Sequence, residues 1–340
     1  MQQSAELKPT ALTGIKPTGT PHLGNYLGMI QPALALMKTH QAYYFIADHH
    51  ALTTFETAAA LRRRVYEVAA TWLALGLDPE QVTFYRQSDI PEVFELTWIL
   101  ACFTPKGVLN RAHAYKAATE SNRAEGRAPD HQIVTGLYAY PILMSADILL
   151  LGADVVPVGL DQKQHLEIAR DIALAMNTRF GALFNVPEAL IPEQAQVITG
   201  IDGRKMSKSY DNTLPIFARP DDLRKRVMRI VTDSKSPAEP KDPETCSLFA
   251  IYRHIAPPEA VAAKRALYLA GGLAYRDMKE ELAERLRDRF AAGHARYDEL
   301  LADTSRIDAI LSAGAEKARA RAVPLMERLR GRLGLRPSGR

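Results

Sequence analysis

Short apolar runs alternate with longer stretches of helical spacing from Ala11 to about Thr213, and that alternation leaves few folds open. Ala11 to Ile15 reads as a short buried strand, turned by Pro17, Thr18 and Gly19, and a helix starts at Leu23 and runs toward Met37. Tyr43 to Ala47 and Val82 to Arg86 read as further strands. Between them Leu61, Val65, Val68, Trp72 and Leu75 recur at helical spacing, with Gly76 suited to the stop. Helices that link successive strands carry the chain back to the same end of a sheet. The expected fold class is therefore α/β, with a doubly wound parallel sheet covered on both faces. Asp154 to Gly159 and Gln196 to Thr199 read as two more strands, with a helix from Asp161 to Met176. A strand, a glycine-containing turn and a helix present backbone N–H groups to phosphate. The turn lacks the dinucleotide glycine pattern, so a nicotinamide cofactor is not implied.

The character changes after Leu214. Asp221 and Asp222 open a helix rich in arginine, Ser234 to Pro243 is a proline-rich loop, and everything beyond Leu248 reads as helix: Tyr275–Phe290, Tyr297–Leu301, Ile307–Leu329. The expected division is a Rossmann-like sheet domain over 9–213, with an insertion at about 107–140, and an all-helical domain over 214–340. Ala112 to His131 reads as a mobile loop or an excursion from the sheet, and the basic tail from Arg328 as frayed. A chain of 340 residues has room for both domains. Its net charge of +4 permits a polyanionic partner without demanding one. Two cysteines, Cys102 and Cys246, cannot build a disulfide framework or a four-cysteine zinc site, which suggests a reducing compartment. The polar first residues resemble no signal peptide, and no apolar run would span a bilayer, so a cytoplasmic protein with no membrane partner is expected.

Three stretches can carry chemistry. His22-Leu23-Gly24-Asn25 opens the first helix, where His and Asn are ordinary capping residues but also stand where a phosphate would meet the helix N-terminus. Lys205-Met206-Ser207-Lys208-Ser209 sets two lysines among small residues, which reads either as a solvated loop or as a mobile phosphate clamp. Tyr140 to Leu151 reads as an apolar helix with Pro141 in its first turn, and Tyr140, Met144 and Asp147 share one of its faces. A carboxylate there requires a donor, supplied either by a neighbouring part of the protein or by a ligand. His49-His50 suggests a metal at first sight, but no carboxylate or cysteine stands at a telling spacing, and no protein-bound metal is expected.

An early His-x-Gly-Asn and a late Lys-Met-Ser-Lys-Ser together are similar to the paired signatures of class I aminoacyl-tRNA synthetases. Further stretches narrow the resemblance to the bacterial tryptophanyl-tRNA synthetases: Gly14 to Gly19, Gly24 to Tyr26, Asp48 to Ala51, Tyr140 to Leu149 and Val156 to His165. The resemblance covers most of the chain and is weakest after Ser236. It departs from the common His-Ile-Gly-His at Asn25, which gives up a cationic imidazole. The resemblance implies activation of L-tryptophan with ATP, whose Mg²⁺ arrives with the nucleotide, followed by transfer to tRNA(Trp), in a homodimer. It implies that His22, Asn25, Lys205 and Lys208 act in catalysis, and that Lys16, Thr18, Gly24, Asp161, Gln162, Ser207 and Lys116 also approach ATP. Asp147 would bind the indole N–H, with Tyr140 and Gln162 on the amino acid's polar end. Met144, Gly14, Ala47, Val156, Val158 and His50 would surround the ring.

The residues leave rivals open. A tyrosine enzyme of the same subclass needs a hydrogen-bonding pair for a phenol, which the Tyr140–Met144–Asp147 face suits less well than an indole. A small-molecule nucleotidyltransferase shares the turn but needs no large helical domain. A non-catalytic RNA-binding or tryptophan-sensing relative needs neither motif intact.

Overall fold

The computed structural model describes residues 8–17, 19–159, 162–191 and 198–335. Strands β1 Thr10–Ile15, β2 Gln41–Ile46, β3 Val82–Arg86, β4 Val155–Pro157 and β5 Glu188–Leu190 form one parallel sheet in the order β3-β2-β1-β4-β5. The order reverses at β1, so this is a doubly wound sheet whose crevice opens beyond the carboxyl ends of β1 and β4. Central strands buried on both faces are nearly continuous in apolar residues, as β2 is from Ala42 to Ile46.

After β1 the chain enters α1 Leu23–Asn25, a π turn at Tyr26–Ile30, and α2 Gln31–Leu36. After β2 come α3 Asp48–Ala51 and α4 Ala58–Ala74; Thr57 caps α4 by accepting from the Ala60 N–H at 3.1 Å. Trp72 of α4 packs between Tyr44 and Phe84 of the sheet. Helices α5 Pro91–Phe103, α6 Lys106–Asn110, α7 His113–Ala124 and α8 Thr135–Leu150 connect β3 to β4, and α9 Lys163–Phe180 leads to β5. Then follow α10 Pro220–Met228, α11 Ser247–Ile255, α12 Pro258–Ala270, α13 Tyr275–Ala302 and α14 Ser305–Arg332.

The fifth strand is β5 and not the expected Gln196–Thr199, of which 196–197 lie outside the described residues and Thr199 makes only an isolated bridge to Lys205. Four further expectations change. The 112–131 stretch is largely helical as α7. Its small and charged residues are good helix formers, and buried Asn122 ties the return segment by donating to the carbonyls of Pro129 and His131, both at 2.9 Å. Helix α8 begins at Thr135, so Pro141 lies inside it and supplies no N–H to the Leu137 carbonyl. The two short segments expected over 275–301 are one helix, α13. Gly293 at its middle lets it approach α4, because a Cβ there would lie 3.2 Å from the Ala74 carbonyl oxygen.

The fourth concerns the helical region after residue 213. Helices α10, α11 and α13 surround their own core of Leu223, Val227, Leu248, Tyr252, Met278 and Leu282, which also takes in Leu23 and Met206. Helix α14 instead returns to the sheet. Ile307 and Leu311 join the core beneath β2 and β3, while Ala318, Ala322, Met326 and Leu329 join the core of α5, α8 and α9. Asp308 accepts from Tyr66 and Arg86, both at 2.9 Å, and Arg319 pairs with Glu92 at 2.8 Å. The expected fraying is absent from Arg328 to Arg332, where Leu329 is fully buried and Arg330 is paired with Glu95, and 336–340 lie outside the described residues.

Candidate active site

A cavity of about 510 Å³ opens at the carboxyl ends of β1 and β4. That is the size and position of a small-molecule site in a doubly wound fold. Gly14, Ala47, Val156 and Val158 line it from the sheet side, Tyr140, Met144 and Asp147 from α8, and Lys16, His50 and Gln162 line it as well. Gly14 leaves room for the Phe45 ring, which a Cβ would meet at 2.4 Å. That ring stacks on Tyr85, at 5.6 Å between centroids.

Asp147 is 3% exposed and sets a buried carboxyl in the cavity wall. Burial pushes its carboxyl above the ordinary range, and hydrogen bonds from His50 and Gln87 oppose that rise. His50 Nε2 donates at 3.0 Å, and Gln87 Nε2 donates to both oxygens at 2.9 and 2.8 Å. The protein thus supplies donors to this carboxylate before any ligand does. A carboxylate accepts at about four positions, so room remains for one more N–H. At the other side, the Tyr140 hydroxyl meets His165 Nε2 at 2.5 Å, and His165 Nδ1 meets Gln162 Oε1 at 3.1 Å. An amide oxygen only accepts, so His165 carries its proton on Nδ1 and Tyr140 donates to Nε2. Lys16 Nζ donates to the Thr53 hydroxyl at 2.8 Å, and burial lowers its pKa.

The two signature motifs meet beside the cavity. Residues after the lysine loop pair with the head of α1: the Leu23 N–H donates to the Leu214 carbonyl at 2.8 Å, and His22 bridges Pro215. Asn25 Oδ1 accepts from the His22 N–H at 3.2 Å, so this residue does cap. His22 is buried, and its Nδ1 has no partner; burial and then the charge of Lys208 lower its pKa to about 4. It is a neutral imidazole at physiological pH. Lys208 reaches into the turn after β1, where Nζ donates to the Gly19 carbonyl at 2.7 Å. Gly19 has φ +120°, which favours glycine, and a Cβ would lie 3.4 Å from the lysine stem. Burial, and then Arg64, lower the Lys208 pKa to about 8.

Residues 4–291 match the family described as tRNA synthetases class I (W and Y). The chain belongs to this family. The tryptophan–tRNA ligase of Xanthomonas campestris pv. campestris is 49% identical over 335 residues, 97% of this chain and 78% of that one. That of Neisseria meningitidis serogroup A is 48% identical, over 97% of this chain and 99% of that one. The crystal structure of the Campylobacter jejuni tryptophanyl-tRNA synthetase, complexed with ADP and tryptophan, superposes with TM-score 0.86 at 41% identity, covering 96% and 99% of the two chains.

Not every residue expected in this synthetase site converges. Lys205 is exposed, whereas Lys208 is turned inward. Lys116 is exposed on α7, 3.8 Å from Glu120, and lines a separate depression with Arg111, His113 and Arg123. Thr18 and Asp161 lie outside the described residues. Two site residues escaped the sequence reading. Gln87 follows β3 and is fully buried against Asp147. Asn212 is buried behind the lysine loop. It accepts from the Ser207 N–H at 2.7 Å and donates to Asp202 at 2.7 Å and to the Lys205 carbonyl at 3.0 Å. A polar residue at the end of an apolar strand, and an asparagine five residues beyond Ser207, were the available signals. Among the described residues no group of three or more His, Cys, Asp or Glu side chains could hold a metal ion. No helix among them is long and apolar enough to cross a membrane.

Proposed function

We propose that this chain is a tryptophan–tRNA ligase. It activates L-tryptophan with ATP to tryptophanyl-adenylate, releases pyrophosphate, and transfers the tryptophanyl group to the 3′ end of tRNA(Trp). One observation carries the choice of amino acid: a buried carboxylate, already fixed by two donors, faces an otherwise largely apolar cavity beside Met144. Indole offers one polar atom, an N–H donor, and an ionised Asp147 is an acceptor only. Phenylalanine would leave that acceptor without its ligand partner, and sites built on such a bond reject the analogue strongly.

The chemistry is positional and electrostatic. The amino acid's carboxylate attacks the α-phosphate, and charge builds on the departing pyrophosphate. Lys208 in the β1 turn supplies positive potential where that charge builds. Lys205 and Ser207 close from the loop that Asn212 holds in shape. Mg²⁺ comes with ATP.

The helical layer α10–α13 contacts the tRNA, where splayed anticodon bases are read by hydrogen bonds and stacking. Its arginines are mostly occupied: Arg224 is paired with Glu280, and Arg226 with Asp211 at 3.1 Å. Arg229 is exposed and is the better phosphate contact of the three. The protein acts as a cytoplasmic homodimer. Trp98 on α5 is 72% exposed, while Leu96, Ile99 and Leu100 of that helix are core, so the outer face of α5 supports the pairing.

The test is ATP–pyrophosphate exchange with each of the twenty amino acids separately. Exchange with tryptophan alone is expected. Exchange with tyrosine would keep the reaction and overturn the reading of Asp147, and exchange with none would overturn the ligase.

A further inference from the structure

Gln87 lies in the turn between β3 and α5, does not line the cavity, and has no exposed surface. An amide withdrawn from water needs partners at both ends. Its Oε1 accepts from the backbone N–H groups of His49 and His50, at 3.2 and 3.4 Å. Its Nε2 donates to both oxygens of Asp147. The amide cannot be reversed, because its NH₂ cannot accept from two N–H groups and its oxygen cannot donate to a carboxylate. His50 closes the arrangement: its backbone is held by Gln87, and its ring donates to the same Asp147.

We propose that Gln87 is the positioning residue for amino-acid selection: it holds Asp147 as a fixed, ionised acceptor, and so sets the preference for a ligand bearing a ring N–H. The inference rests on the tryptophan reading above and adds a residue that acts through Asp147 without touching the substrate.

The charges around Asp147 make the role specific. His50 and Asp48 face it from α3, Tyr85 from β3, and Lys16 lines the same cavity. Burial and the negative charge of Asp48 favour the protonated carboxyl; His50 and Gln87 favour the ionised one. Gln87 contributes no charge, only two N–H bonds, so its removal leaves His50 alone against burial. A protonated Asp147 gives up acceptor strength and becomes a donor itself.

The experiment uses the full chain and tryptophan-dependent ATP–pyrophosphate exchange between about pH 6 and about pH 9. It compares wild type with Gln87→Met and Gln87→Glu. Gln87→Met removes the donor, so Asp147 protonates at higher pH than in wild type. Its KM for tryptophan is expected to rise roughly 10-fold or more, most at the acid end of that range, and to fall back as pH rises, with kcat changed far less. Gln87→Glu keeps an oxygen for the His49 and His50 N–H groups and sets two carboxyls face to face. They share a proton at low pH and repel when both ionise. Its KM is therefore expected to climb as pH rises, the opposite slope. Should Gln87→Met fail to fold, the slope of Gln87→Glu against wild type decides. KM profiles parallel to wild type in the folded variants would overturn the role of Gln87. Wild-type protein that shows no tryptophan-dependent exchange would instead overturn the functional reading on which the role rests.

Discussion

Met206 of the lysine loop packs against Gly24 at the head of the first helix, with its sulfur 3.3 Å from the Gly24 amide nitrogen. The two signature motifs, far apart in sequence, are thus in direct contact. Gly24→Ala tests that contact. An added Cβ would lie 3.0 Å from His22 Nδ1 and 3.4 Å from the Met206 sulfur, so the imidazole or the loop must give way. Adenylate formation in single-turnover assays is expected to slow by roughly 10-fold or more, because small displacements of catalytic groups are costly. The tryptophan KM should stay near wild type, since Gly24 does not line the cavity.

Lys208→Ala removes the inward-turned lysine. Loss of about 3 kcal/mol of transition-state stabilisation is expected in adenylate formation, with little change in tryptophan binding measured separately. The wild-type pH profile gives a second check. Burial, and then Arg64, hold Lys208 at about 8. Only the protonated amine attracts phosphate, so kcat/KM for ATP should fall as pH rises through about 8. Lys208→Arg keeps its charge, and its profile should lack that descending limb. An identical limb in both proteins would assign it to another group.

Much of this site could be read from the sequence because it follows local rules. Four of the five strands came from alternation, and the Tyr140–Met144–Asp147 face came from helical spacing; all three residues reach the cavity. What escaped depends on partners distant in sequence. Nothing near Gln87 announces that its amide will meet Asp147, and nothing in α14 distinguishes a helix of the second layer from one that returns to β3. Small side chains at Gly314, Ala315, Ala318 and Ala322 are the trace of that close packing, and they read equally well as ordinary helix formers. The 112–131 stretch differs for a related reason: its polarity resembles a loop, but α7 forms there and buries Thr119 and Asn122 on one side.

Asp147→Ala removes the acceptor and leaves Gln87 and His50 facing a gap. The ratio of kcat/KM for tryptophan to that for phenylalanine in pyrophosphate exchange should fall by about 100-fold or more, mostly through tryptophan. His50→Ala keeps the carboxylate and its Gln87 bonds, so it should erode the ratio less. Unchanged selectivity in Asp147→Ala would move ring recognition to another wall of the cavity.

The returning helix gives a prediction about stability. At Gly314 a Cβ would lie 1.8 Å from the Phe84 carbonyl oxygen and 2.6 Å from its carbon, and β3 is hydrogen-bonded into the sheet on that segment. Neither backbone has a side chain to rotate away, so Gly314→Ala must move α14 off the strand. That shift strains the Arg86–Asp308 and Glu92–Arg319 pairs and opens the core around Leu311. A loss of about 3 kcal/mol is expected in denaturant unfolding. Gly331, in the same helix, has nothing within 4 Å of its added Cβ. Gly331→Ala should therefore be neutral or stabilise by up to about 1 kcal/mol, through helix propensity alone. The contrast separates the two causes: equal effects would mean that propensity governs α14, whereas a large loss at Gly314 alone would place the helix against β3 in solution.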